Sequence, residues 1–309
     1  MLDKVHLSIS CVIIDNIGDF MDEKRFNLKE IFTQPKYRRM NPYQKEIFVT
    51  GLFHSKNFNQ IRKEEHIVLL KELKEVLLKK YRCGPYTMIV LPSDYQLHED
   101  LFDMVTDVYK RRIYIRKSFV EDGIIQNGYD DAYCLDFLNV YLLDCIYHEM
   151  YHIISRNQIM RKSTSYLDRE FVEQLLWYLT IKHNENSSLM EQVAQIESTF
   201  LEEDILSYRM LPEEYYAHLF AYNQVNHAFK RNVVLYGEDK NLGKYQFDVE
   251  QEKSILVKQY NNIHKTNYTF DEIYEQVYLM NIICFSTKNE EEVREVYQKL
   301  GRKKHFIKR

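Results

Sequence analysis

The run YCLDFLNVYLLDCIYHEMYHIISR, residues 133–156, reads as one long helix whose first part, CLDFLNVYLLDCIY, is apolar on almost every face. Such a helix cannot lie at a surface, where one side must meet water, and has to run through the middle of a folded unit. The rest of the 309 residues must therefore supply the elements that wrap it. With only 8 glycines and 5 prolines in the chain, those elements should be long helices joined by few tight turns. The length suits one large domain or two ordinary ones, with ample apolar content for a core.

Around this central helix the pattern resolves in pieces. EEHIVLLKELKEVLLKKY, Glu64–Tyr81, carries leucines at helical spacing with charges between them and predicts an amphipathic helix that stops at RCGP, Arg82–Pro85. YTMIVL, Tyr86–Leu91, reads as a buried strand ended by Pro92. RIYIRKS, Arg112–Ser118, alternates apolar and basic residues like a half-exposed strand. Gly123 and Gly128 mark a loop before the central helix. Further helices are expected over Tyr166–Lys182, Leu189–Met210 and LPEEYYAHLFAYNQVNHAFKR, Leu211–Arg231, where Pro212 suits a first turn and Glu213 and Glu214 sit well beside a helix N-terminus. YGEDKNLGKYQ, Tyr236–Gln246, is the best linker. Residues 1–60 give no clear pattern.

The net charge of −4 and pI near 6.3 provide no general attraction to nucleic acid or anionic membrane. No run of about 18 apolar residues is present to span a bilayer. Asp15 breaks the apolar patch Cys11–Ile14 too early for a secretory signal. Five cysteines without CxxC spacing argue against a disulfide framework and for a reducing cytoplasm. The 25 tyrosines are read as background composition.

Inside the apolar helix stand His148, Glu149 and His152. Residues four apart lie on one helical face, so His148 and His152 can aim two imidazole nitrogens at one point. Zinc accepts such nitrogens at about 2.0–2.1 Å, and a catalytic zinc keeps three protein ligands plus a water. Glu149, one residue past the first histidine, projects beside that point and can take a proton from the water. This is HExxH, HEMYH in this chain. The uncharged flanks Ile146, Met150, Tyr151, Ile153 and Ile154 set it apart from a chance match on a solvated helix. The competing reading is a pair of core histidines bonded to neighbours, with Glu149 reaching solvent.

A third ligand has several candidates. Glu214 begins the pattern E-x-x-A-x-x-F-A, and Ala217 and Ala221 continue a small-residue stripe that lets this helix lie close to the histidine helix. Glu170 and Glu173 are nearer in sequence but are crowded by Phe171, Leu175 and Trp177. Glu213 and His218 remain open.

HEMYH followed by EYYAHLFA resembles the zincin metallopeptidases of the gluzincin type. It is most similar to the ImmA/IrrE-type peptidases and related phage and mobile-element proteins. The resemblance covers roughly residues 86–231, and closely only the two motifs. It implies zinc ligation by His148, His152 and Glu214, with Glu149 as catalytic acid/base. The chain departs from that pattern at Tyr151, where glycine is common, in the 62 positions between His152 and Glu214, and in showing no helix-turn-helix. The family also implies an edge strand before the zinc helix to which an extended substrate pairs, a role RIYIRKS could fill; the alternative is an ordinary edge strand protected by Arg112, Arg116 and Lys117. Tyr215, Tyr216, His218 and Tyr222 are candidate donors to a developing oxyanion.

Cys145 reads as a small buried thiol, His183 as part of a solvated turn and the basic tail GRKKHFIKR as a solvated terminus. The expectation is thus a predominantly helical α+β protein: a mostly helical region 1–85, a zincin-like domain 86–235 with a small mixed sheet against a central HExxH helix, and a helical region 236–309. Its expected activity is zinc-dependent hydrolysis of a protein or peptide substrate in the cytoplasm, without nucleic acid or membrane. The other class is a zincin-derived sensor or interaction module.

Overall fold

The structure is a computed structural model and describes residues 27–93, 103–108, 110–127, 130–133, 135–160, 212–241, 249–270 and 272–273. The chain divides into two compact units, residues 1–154 with 220–246 and residues 155–219 with 247–309. The division passes through two helices that are each unbroken over their described residues.

The first unit opens with short helices α1 (Leu28–Thr33), α2 (Pro35–Arg39), α3 (Pro42–Gly51) and α4 (Ser55–Phe58), followed by α5 (His66–Lys80). Prolines 35 and 42 stand in the first turns of α2 and α3, where a missing N–H costs nothing. Asn41 and Gln44 form a reciprocal capping box at the start of α3: the Asn41 side chain accepts from Gln44 N at 2.9 Å, and Gln44 Oε1 accepts from Asn41 N at 3.0 Å. Helix α5 fulfils the amphipathic pattern, burying Leu69, Leu70, Leu73, Leu77 and Leu78.

A three-stranded mixed sheet follows, in the order β1-β3-β2. Strand β1 (Thr87–Leu91) runs parallel to β3 (Arg112–Arg116), and β2 (Met104–Asp107) runs antiparallel to β3. RIYIRKS was expected at an edge, and it is the middle strand. The basic residues mislead because Arg116 is buried and ion-paired with buried Asp103 at the start of β2, donating also to Ile124 O at 3.3 Å. Lys117 and Ser118 already belong to α6 (Lys117–Asp122). With both ladders of β3 occupied, neither the substrate-pairing role nor the edge-protection reading holds for it. Gly123 ends α6 at φ 65°, the left-handed region that favours glycine. In place of the expected loop, β4 (Ile124–Asn127) and β5 (Asp130–Tyr133) form an antiparallel hairpin.

Helix α7 (Leu138–Met160) is the central helix foreseen from the apolar run. Leu138, Val140, Leu142, Leu143, Ile146, Tyr147, Met150, Ile153 and Ile154 are all buried, and they share one core with residues from α1, α3, α5, β1–β3 and α6. Helix α8 (Pro212–Tyr236) buries Ala217, Ala221, Val225, Ala228 and Asn232, a stripe stepping by three and four.

The linker expected over Tyr236–Gln246 is a fastened segment as far as Asn241. The Asp239 carboxylate accepts from Ser55 N at 2.7 Å and also binds Ser55 Oγ. Lys56 N donates to His54 Nδ1 at 3.2 Å, so Nε2 carries the ring proton and donates to Gly237 O at 3.1 Å. Asn241 donates to Asn139 Oδ1 at 2.9 Å. The same corner satisfies carbonyls at the end of α3: Asn232 Nδ2 donates to Thr50 O, Asn57 Nδ2 to Gly51 O and Asn139 Nδ2 to Phe53 O, all within 2.9 Å. Helix ends leave such carbonyls without helical partners, and buried ones must be met by side chains.

In the second unit, α9 (Val249–His264) leads into a turn held by Asn261, whose Oδ1 accepts from Tyr268 N and Thr266 Oγ1 at 2.8 Å. The helices expected over 166–182 and 189–210, Glu170, Glu173, His183 and the basic tail lie outside the described residues. Taken together, the chain is mostly helical with a small mixed sheet, as an α+β class requires.

Candidate metal centre

Helix α7 sets the two histidines one turn apart on one face. Their Nε2 atoms lie 3.2 Å from each other, with the rings nearly perpendicular at 78°. Two nitrogens bound tetrahedrally at 2.0–2.1 Å from one zinc must be about 3.3 Å apart, so the pair is already at ligand spacing. A carboxylate oxygen of Glu214 completes the group: among the described residues, the donor atoms of His148, His152 and Glu214 all lie within 4.8 Å of one another. The donor set, two imidazoles and one carboxylate, is one of several that catalytic zinc sites use.

Aromatic packing positions the helix that carries Glu214. Phe220, six residues on from Glu214 in α8, meets Tyr151 at 5.5 Å and Tyr147 at 6.2 Å from α7, and Tyr81 beyond α5 at 6.1 Å. Aromatic pairs at such separations each add about 0.5–1.5 kcal/mol beyond their buried area. Ala221, fully buried, keeps the next turn slim.

Glu149 is 5% exposed and His152 7%, while His148 is half-buried. The competing expectation had Glu149 reaching solvent; it does not. A carboxylate in that position faces a large desolvation cost unless its surroundings favour charge, and an adjacent cation would do so.

The remaining site residues separate clearly. Tyr215, Tyr216, His218 and Tyr222 are all half-buried on α8. Tyr215 packs its ring on Tyr216 and Phe270, both at 5.3 Å, with the Lys253 ammonium 5.9 Å from its centroid. His218 is one turn beyond Glu214 and shares its face, but it is not among the three grouped donors. Glu213 precedes Glu214 in the first turn of α8. Cys145 is half-buried, forms no disulfide among the described residues and lies outside the group.

One feature of the surroundings escaped the sequence. Tyr147, fully buried next to His148, donates its hydroxyl to Glu46 Oε1 at 2.9 Å, and Lys80 Nζ meets Glu46 Oε2 at 2.7 Å. Burial, then the Glu46 charge, pushes the Tyr147 phenol well above its ordinary value, whereas the Arg231 charge opposes that shift. The available signal was a tyrosine hydroxyl in the mostly apolar stretch before HEMYH, which requires a partner, and a Glu46 that leads directly into the apolar run Ile47–Val49.

Comparison with known proteins finds no matching family model, no matching curated protein and no matching solved structure. Among the described residues no helix is long and apolar enough to cross a membrane.

Proposed function

We propose that the chain is an intracellular zinc-dependent metallopeptidase of the zincin type, hydrolysing peptide bonds in a protein substrate. The observation that carries this reading is the meeting of His148, His152 and Glu214 within 4.8 Å, with buried Glu149 next to the first histidine. A purely structural metal site would have no use for that extra carboxylate.

Zinc held by these three residues supplies Lewis-acid polarisation of the scissile carbonyl and an acidified water. Glu149 accepts the proton from the attacking water and returns it to the departing amine nitrogen. The new C–O bond forms first, by addition of the water to the carbonyl; the amide C–N bond then breaks as its nitrogen takes the proton from Glu149, and no redox partner is needed. His218 is the candidate oxyanion donor that shares the face of Glu214; Tyr215, Tyr216 and Tyr222 are the others. The apolar helix around the site excludes water and so strengthens each of these electrostatic interactions.

The experiment is elemental analysis of the purified protein, followed by comparison of cleaved peptides in cells producing the wild type or Glu149→Gln. About one zinc per chain and cleavage products confined to the wild type are expected. A folded protein with under about a tenth of a zinc per chain overturns the reading. Full zinc without any difference between the two proteomes turns it toward a zincin-derived sensor or interaction module.

A further inference from the structure

Three helices converge on one buried carboxylate, and its tyrosine partner is next in sequence to His148. Glu46 comes from α3 and is 1% exposed. Lys80, the last residue of α5, ion-pairs with its Oε2, and that ammonium is about a quarter exposed. Tyr147 of α7 donates to its Oε1, and Arg231 of α8 contributes the opposing charge at Tyr147. A core ion pair of this kind is poor value as a source of stability, since desolvation largely offsets attraction. What it does well is fix geometry, because few arrangements satisfy every buried group at once.

The geometry it can fix is rotation of α7. Tyr147 precedes His148 by one residue, so its side chain leaves the helix about 100° from that of His148. A hydroxyl pinned to Glu46 on one side of α7 thus sets the direction in which His148 and His152 point on another. The Tyr147 ring also touches Phe220 on α8, the helix that continues back to Glu214. The apolar residues around α7 would tolerate a small roll, as core packing is not strongly directional. A single hydrogen bond of 2.9 Å would not.

We infer that Glu46 and Tyr147 are positioning residues of the metal centre, holding α7 at the rotation that brings His148 and His152 to ligand spacing with Glu214. This rests on the zinc reading given above. Neither residue touches substrate or metal; both act through the histidines.

The test measures zinc affinity by chelator competition in Tyr147→Phe, Glu46→Leu and the double variant, together with absorption spectra of the cobalt(II)-loaded proteins. Tyr147→Phe deletes one oxygen and keeps the ring against Phe220. Each single variant should lower affinity about tenfold, the low end for residues that orient ligands indirectly. Each should also alter the cobalt bands that report tetrahedral coordination. The double variant should lose no more than either single one, because both remove the same bond. Glu46→Gln, which can still bond the Tyr147 hydroxyl, should stay close to wild type. If Tyr147→Phe lowers melting temperature while its zinc affinity and cobalt spectrum match wild type, the bond is merely structural and the inference is overturned. Should Glu46→Leu fail to fold, Tyr147→Phe alone decides. A wild type that takes up neither metal refutes the zinc reading itself, a result distinct from an unaffected variant.

Discussion

Replacing Glu214 by alanine tests the centre where the chain distance is longest. The residue is carried on α8, separate from the helix of the two histidines, and its oxygen lies within 4.8 Å of their nitrogens. Zinc that binds only the folded state stabilises it by RT ln(1 + [Zn]/Kd), about 4.1 kcal/mol when free zinc is 1,000 times Kd. Loss of a direct ligand should raise Kd by at least about 100-fold, the upper end of what indirect partners cost. At the same zinc concentration the stabilisation then falls to about 1.4 kcal/mol, a loss of about 2.7 kcal/mol. For a unit of this size that is a drop of about 5–11 °C in melting temperature. The assay is thermal unfolding of wild type, Glu214→Ala, Glu213→Ala, Glu170→Ala and Glu173→Ala, each with zinc and with chelator. The gap between zinc and chelator should shrink in Glu214→Ala alone. With chelator, Glu214→Ala should melt close to wild type, since no bound metal remains to lose. An unchanged gap in Glu214→Ala, with the gap lost in Glu170→Ala or Glu173→Ala, would falsify the assignment and place the third ligand in the 161–211 segment.

Glu149→Gln should retain zinc and fold yet reduce peptide cleavage by at least about 100-fold, because glutamine nearly matches glutamate in shape but cannot take the proton; wild-type rates in that variant would remove Glu149 from the chemistry. His66 is buried, with Nδ1 3.0 Å from Val120 O and its ring stacked on Phe58 at 4.3 Å, and burial lowers its pKa below 6.5. The unfolded chain therefore binds a proton there first, so this contribution to stability is complete above about pH 6.5 and is lost as pH falls toward the lowered folded value; denaturant titrations of His66→Phe should show a shallower acid-side decline, and an identical slope would refute the account. Asp103→Ala leaves Arg116 buried without its ion-pair partner and should cost about 3–5 kcal/mol in chemical denaturation. Asn232→Ala strips the donor from buried Thr50 O and should cost about 1–3 kcal/mol by the same measurement. A loss under half a kcal/mol at either position would show that water replaces the missing group.

How far these features could be read beforehand depends on the range of the interaction. Helix α7 and its histidines were legible because helical periodicity and a four-residue spacing are local properties. The stripe that drew attention to Glu214 was local too: Ala217 and Ala221 follow it at helical spacing, and both are fully buried. The place of RIYIRKS in the sheet was not, since the charge of Arg116 is cancelled by Asp103, thirteen positions earlier and just before another strand. The hairpin β4–β5 was missed although Gly128-Tyr129 stands between its paired ends Asn127 and Asp130, a spacing that suits a two-residue turn. Gly123 and Gly128 made that stretch look like loop. Nothing near Asp239 announces Ser55 as its partner, so a glycine- and lysine-rich segment passed for a linker. Tyr147 and Glu46 are hidden for the same reason, lying 101 positions apart.

The clasp of Asp239 on Ser55 spans 184 positions. Ribosomes add about 5–20 residues per second, so the turn after α3 waits about 10–40 s for its partner to be synthesised. During that interval α3 ends in carbonyls that Asn232 has not yet reached, and both histidines of α7 are made before Glu214 exists. Closing so long a loop is entropically slow and is rewarded only when the far contacts form. The metal centre is therefore a late product of folding, assembled after most of the core around α7 has had time to settle. On the zinc reading proposed above, a nascent chain presents two imidazoles first and the third donor only once Glu214 has been made.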